Sequence, residues 1–112
     1  MIDIEQIWKQ YHKTCGDYYR NLLMEHYRDL VKDVAERLHS KLPDEAELDD
    51  LLAAGIFGLI DAIEAFDPAR GSQFETYCKP EIRAAILREL QYMDEIPQSV
   101  RIRASQLESD TN

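Results

Sequence analysis

Three aromatic residues bracket one tight turn. Phe66 stands just before the run Asp67-Pro68-Ala69-Arg70-Gly71, and Phe74 and Tyr77 follow it. Rings gathered at a turn are either core or a stacking platform for flat ligands such as unpaired nucleobases, which gain about 1–3 kcal/mol per stacked base. Downstream, Lys79, Arg83 and Arg88 recur at intervals of four and five residues. By themselves three cations on a helix make an ordinary solvated face. Catalytic chemistry finds little to work with. His12, His26 and His39 are far apart, and His12-x-x-Cys15 is half of a metal-ligand pattern without its second half. There is no Ser–His–acid arrangement, phosphate loop or motif of paired carboxylates. The residues point to a non-enzyme that needs neither metal nor cofactor.

The elements that must position these residues are helical. Leu51, Leu52, Gly55, Ile56, Leu59, Ile60, Ile63 and Phe66 follow the three-or-four spacing of a buried helical face. This predicts a helix over 47–66, closed by Asp67-Pro68 because proline disfavours helical dihedrals in the residue before it. Ser72 and Glu75 form a capping box for a helix over 73–93, whose stripe is Phe74, Tyr77, Cys78, Ile82, Ala85, Ile86 and Leu90. Pro80 lies well inside that helix, where a kink is expected. Upstream, Ile2, Ile4, Ile7, Trp8 and Tyr11 predict a short amphipathic helix over 1–13. Tyr19 to Leu38 predict a long one over 18–40, with Asp17 as its N-cap. Pro97 suits the first turn of a last helix that runs toward Leu107. No segment alternates with period two, so the chain reads as all-α, a compact bundle of four to five helices. Residues 1–107 form the domain and 108–112 a frayed tail. Gly55 and Gly58 leave two readings open: close packing inside the fold, or close approach of a partner helix.

Composition narrows the partners. At 112 residues, 45% apolar and 31% charged, the chain has enough for one globular core. No apolar run approaches the ~18 residues of a membrane span. The start MIDIEQIWKQ carries acids where a secretory signal is basic. Cys15 and Cys78 form no CxxC pattern, so reduced thiols and a cytoplasmic location are expected. The net charge of −9 argues against tight binding of free duplex DNA, whose non-specific affinity comes from phosphate neutralisation. The acids are concentrated in Asp44, Glu45, Glu47, Asp49 and Asp50. Between Arg70 and Arg103 six bases face five acids.

The stretch GIFGLIDAIEAFDPARGSQFETYCKPEIRAAILREL resembles the second conserved region of bacterial sigma factors of the sigma-70 family. It is most like the flagellar and sporulation-type group, and FDPARGSQFETY carries the likeness most specifically. The resemblance spans about Trp8 to Arg103. It implies the helical bundle of sigma region 2 with a preceding helix, and a module of transcription initiation. That module docks on the clamp helices of the largest subunit of RNA polymerase core and recognises and melts the promoter minus-ten element. Carried over by position, Asp50, Leu51, Ala53, Ala54, Ile56, Leu59 and Ile60 would meet polymerase. Phe66, Arg70, Phe74, Thr76, Tyr77, Lys79, Arg83 and Arg88 would meet DNA, preferentially the single-stranded minus-ten region. Members of the family continue into two further helical domains, one of which reads the minus-35 element.

The chain departs from the family's pattern at several positions. Ala53-Ala54 replace a polar and a larger residue, which removes side-chain hydrogen bonds to the clamp. Glu81 stands where arginine is common and Ala84 where glycine is. In DEIPQSVR, Glu95 replaces a frequent tryptophan and Gln98 an arginine. Each of these lowers attraction for DNA. The alternative function is therefore a sigma-like interaction protein that binds polymerase or an anti-sigma factor without independent promoter recognition.

Overall fold

Among the described residues the fold is five α-helices and one short 3₁₀ turn. In the computed structural model, α1 spans Ile4–Thr14, α2 Asp17–His39, α3 Leu48–Ala65, α4 Phe74–Tyr92 and α5 Gln98–Ser109, with the 3₁₀ turn at Pro68–Arg70. The structure describes residues 3–71 and 73–110, and among them there is no strand. The all-α reading holds, with boundaries shifted by a residue or two except at the start of α1, expected at residue 1 and observed at Ile4. No described helix is long and apolar enough to cross a membrane.

The helix ends follow local chemistry. Asp3 caps α1 by accepting a hydrogen bond from the Glu5 amide at 2.8 Å. Asp17 was the expected cap of α2, but Gly16 takes that position in extended backbone and Asp17 becomes the first helical residue, where its charge suits the helix dipole. Phe66 closes α3 as its C-cap, and Asp67 caps the 3₁₀ turn, accepting from the Ala69 amide at 2.9 Å. Gly71 then adopts φ 83°, a left-handed conformation open to glycine at little cost. The capping box expected at Ser72 and the expected contribution of Ile2 to the first helix lie outside the described residues. Gln73 is the N-cap of α4. Pro80 does not interrupt α4, which is continuous from Phe74 to Tyr92. At the other end α5 runs two residues beyond Leu107, where the Gln91 side-chain amide donates to Glu108 at 2.9 Å. Glu108 and Ser109 thus belong to a helix rather than to a frayed tail.

α3 is the hub, packed between α2 and α4, and α5 covers the far end of α4. Leu23 and Val31 of α2, Leu51, Leu59 and Ile63 of α3, Ile82, Ile86, Leu87 and Leu90 of α4 and Val100 of α5 are fully buried together. The two helix glycines serve this packing. An added Cβ on Gly55 would lie 2.7 Å from Val31 Cγ1, and one on Gly58 would lie 2.8 Å from Ala85 Cβ and 3.0 Å from Ile82 Cα. Of the two readings, the structure selects close approach inside the fold.

A second cluster is aromatic. Trp8 of α1 lies 5.3 Å from Phe66 and 5.0 Å from Phe74, and Tyr27 of α2 lies 4.5 Å from Phe74. Phe66 and Phe74 meet edge to face at 5.2 Å, the arrangement that aromatic quadrupoles favour.

Candidate functional site

Two surfaces collect the residues expected to bind partners. The first is the outer face of α3. At about 100° per residue, Asp49, Ala53, Phe57, Ile60 and Glu64 lie along one stripe, flanked by Asp50 and Ile56. Asp50, Ile56 and Ile60 are half-buried and Ala53 is exposed. Leu51, Ala54 and Leu59 are core residues facing α2 and α4. Their assignment to a docking surface is corrected: a side chain already enclosed by its own fold has no surface to offer a partner. Phe57 was missed. It is 64% exposed, and its position four residues after Ala53 and three before Ile60 was a legible signal. The result is an apolar stripe of Ala53, Phe57, Ile56 and Ile60 with acids at both ends.

The second surface is α4 with the turn before it. Phe66 and Phe74, expected as stacking platforms, are buried under Trp8 and Tyr27 and cannot receive a base in this conformation. Tyr77 stays half-exposed at the rim, its ring 5.5 Å from Phe66. Arg70 is exposed beside Asp67, with a 4.0 Å ion pair. Thr76, Lys79 and Arg88 are exposed and Arg83 is half-buried.

These side chains do not form one row. Thr76, Lys79 and Arg83 fall within about 60° of each other around α4, whereas Arg88 lies about 180° from Lys79 at 100° per residue. Exposed Glu81 shares Arg88's face, one heptad earlier. The expected single basic face is therefore two: a cationic one with Thr76, Lys79 and Arg83, and one where Glu81 offsets Arg88.

The bases after α4 are partly committed to the fold. The Arg101 guanidinium donates to three carbonyl oxygens, those of Ile96 at 3.0 Å, Gln91 at 3.1 Å and Met93 at 2.7 Å. It holds the α4–α5 connection and satisfies carbonyls that the helix end leaves without intrahelical donors. Arg103 donates to the Lys41 carbonyl at 3.2 Å and so ties α5 to the end of α2. Glu95 has φ 70°, so the tryptophan common at this place in the resembled family would be strained on this backbone.

Burial also sets the titration of the groups beneath the site. It pushes the Cys78 thiol up to about 11, with the nearby Glu75 carboxylate adding to the effect. It raises the Tyr27 phenol as well, although the Trp8 N–H bonded to that oxygen pulls the other way. Cys15, by contrast, is exposed.

An exposed apolar stripe on one helix and cations along another are two surfaces of different chemistry on one helical domain. Its class is defined by the comparison with known proteins: residues 23–94 match Sigma-70 region 2, and the chain belongs to that family. It is similar to the RNA polymerase sigma factor FliA of Yersinia enterocolitica, 44% identical over 90 residues, which make up 80% of this chain and 39% of that protein. Its likeness to the FliA of Escherichia coli K12 is 43% over 88 residues, 79% of this chain and 37% of the relative. The RNA polymerase sigma-D factor of Bacillus subtilis is 38% identical over 87 residues, 78% of this chain and 34% of the relative. The chain thus spans between a third and two fifths of the length of these relatives.

Proposed function

We propose that this chain is the region 2 module of a sigma factor. It docks on RNA polymerase core, at the clamp helices of the largest subunit, through the outer face of α3. It then helps recognise and open the promoter minus-ten element through α4 and the turn before it. The observation that carries this reading is the apolar stripe around the exposed Phe57, which lies inside the family-matched stretch. Single exposed apolar residues are common, but a contiguous apolar stripe marks an interaction site. Asp50, Ala53, Ile56, Phe57 and Ile60 form the docking set.

Arg70, Thr76, Tyr77, Lys79, Arg83 and Arg88 form the DNA set. Tyr77 supplies stacking and the cations supply phosphate contacts. Single-stranded DNA is preferred over duplex, because the chain's charge of −9 weakens the electrostatic term on which duplex binding depends. The module performs no catalytic step, and its place of action is the cytoplasm.

The test is co-purification with polymerase core, followed by binding of single-stranded minus-ten DNA. Phe57→Glu and Ala53→Arg each place a charge in a contact that buries apolar surface. Each is expected to weaken core binding at least about ten-fold, or 1.4 kcal/mol, with the melting temperature unchanged. If both folded variants keep wild-type affinity, the docking face is wrong.

A second reading is favoured by Glu81 on the same face of α4 as Arg88 and by the internal use of Arg101. In it the chain binds polymerase or an anti-sigma factor and reads no promoter. Absence of oligonucleotide binding in the presence of core would select it. A salt-sensitive gain in affinity from Glu81→Arg would select the first.

A further inference from the structure

Tyr77 is the stacking ring of the DNA set, and it stands half-exposed at the rim of the aromatic cluster. Its ring leans on Phe66 at 5.5 Å, with 44° between the planes. Phe66 is the C-cap of α3 and has extended backbone, φ −68° and ψ 132°. It lies outside the helix proper, so its side chain takes its place from the rings packed on it. Besides Tyr77 these are Phe74, edge to face at 5.2 Å, and Trp8 of α1 at 5.3 Å.

Trp8 is itself held by two contacts of different kinds. Its indole Nε1 donates to the Tyr27 hydroxyl at 2.9 Å. His12, one turn further along α1, stacks on the indole at 5.5 Å with 22° between the planes. A hydrogen bond fixes direction as well as distance, whereas apolar packing is non-directional. The Tyr27 bond therefore sets how the indole lies against Phe66. The order Tyr27, Trp8, Phe66, Tyr77 runs from α2 through α1 and the end of α3 to the surface of α4. Trp8 precedes the family-matched stretch 23–94, so the brace comes from a helix outside that match.

A ring stacks best when it is already held. A loose side chain must be immobilised when a base lands on it, and that entropy is lost from binding. A ring braced by the fold has been ordered beforehand. We propose that Trp8 is a positioning residue for base capture: it sets Tyr77 through Phe66, and the Tyr27 hydroxyl holds it in place. This rests on the reading of Tyr77 as the surface on which an unpaired minus-ten base stacks, and it adds α1 to the parts that reading requires. Trp8 touches no base in this role, and its effect reaches DNA only through Tyr77.

The experiment is a double-mutant cycle on binding of a fluorescent single-stranded minus-ten oligonucleotide to this chain in complex with polymerase core. Tyr27→Phe keeps the ring that lies 4.5 Å from Phe74 and removes only the hydroxyl. Trp8→Phe removes the indole N–H. Each is made alone and together with Tyr77→Ala. Alone, each is expected to weaken binding about three-fold to ten-fold, the effect of having to immobilise one side chain on binding. With Tyr77→Ala present, neither is expected to add more than the about two-fold within which independent changes are read. The slope of log affinity against log salt is expected to stay as in wild type, because no phosphate contact is lost. A merely structural role would weaken binding equally with and without Tyr77. That outcome, or wild-type affinity of the single variants, overturns the proposal alone. Tyr27→Phe decides the cycle by itself where Trp8→Phe does not fold. A Tyr77→Ala protein that binds as wild type overturns the stacking role of Tyr77 and this proposal with it. Failure of wild type to bind the oligonucleotide with core present overturns the DNA-binding reading beneath both.

Discussion

The indole Nε1 of Trp8 donates to the Tyr27 hydroxyl oxygen at 2.9 Å, joining α1 to α2 above Phe66 and Phe74. This contact makes α1 part of the fold and turns two of the three turn-flanking rings into core. Phe74 and Tyr77, three residues apart, should therefore respond in opposite ways. Phe74→Ala is expected to cost about 3–5 kcal/mol of stability, the range for deleting a buried ring. Tyr77→Ala should change the melting temperature far less and lower affinity for unpaired DNA by the about 1–3 kcal/mol of one stacked base. Thermal melts and oligonucleotide titrations of both variants check this. A Phe74→Ala protein of wild-type stability would mean that the aromatic cluster is not closed in solution.

Gly58 and Gly55 should also differ. Alanine in a helix interior gains roughly 1 kcal/mol over glycine. At Gly58 the new methyl meets Ala85 Cβ and the α4 backbone at Ile82 Cα, and backbone cannot move aside. Gly58→Ala is expected to destabilise by about 1–3 kcal/mol, the usual cost of overpacking. Adding Ala85→Gly should recover part of the loss. At Gly55 the nearest atoms are the ends of the Val31 and Ile86 side chains, so Gly55→Ala should cost less. Denaturant midpoints of the three variants measure the difference.

Arg101 is expected to act as a latch rather than as a DNA contact. Arg101→Met keeps the aliphatic stem and leaves the Gln91, Met93 and Ile96 carbonyls without their donor. Hydrogen bonds to charged groups contribute roughly 1.5–3 kcal/mol each. The site is partly exposed and water replaces some of that, so a net loss of about 2 kcal/mol is expected. Hydrogen exchange should quicken at the α4–α5 connection first. The salt dependence of oligonucleotide binding should stay as in wild type.

Stability should fall at alkaline pH. The Cys78 thiol is raised from 9.0 to about 11, chiefly by burial, and burial also raises Tyr11 and Tyr27 above their usual 10.0. Between about pH 9 and 11 the unfolded chain releases protons that the native chain retains. The unfolded state then binds fewer protons, and stability decreases as pH rises. Below pH 9 these groups contribute no slope. Cys78→Ala should flatten the early part of the decline in chemical denaturation series. In a thiol-reactivity assay at neutral pH, exposed Cys15 should react at once and buried Cys78 only on unfolding.

Much of this molecule was determined by the sequence itself. The three-or-four spacing of apolar residues defined an all-α bundle of four to five helices, because a helix that buries one face must repeat that spacing. Asp67-Pro68 and Gly71 marked the turn through their own backbone chemistry. The run FDPARGSQFETY carried the family. Facing was decided only by the tertiary structure. Leu51, Ala54 and Leu59 satisfy the pattern of a docking helix as well as that of a core helix, and the packing of α2 and α4 on α3 made them core while leaving Phe57 outside. Periodicity gives the phase of a stripe, whereas the neighbours on each side decide which stripe meets water. The same holds for charge. A count of bases and acids between Arg70 and Arg103 treats every cation alike. The fold spends Arg101 on three carbonyls and brings Arg37 and Lys41 within one groove of Lys79 and Arg83, a proximity between residues some forty positions apart that only folding creates.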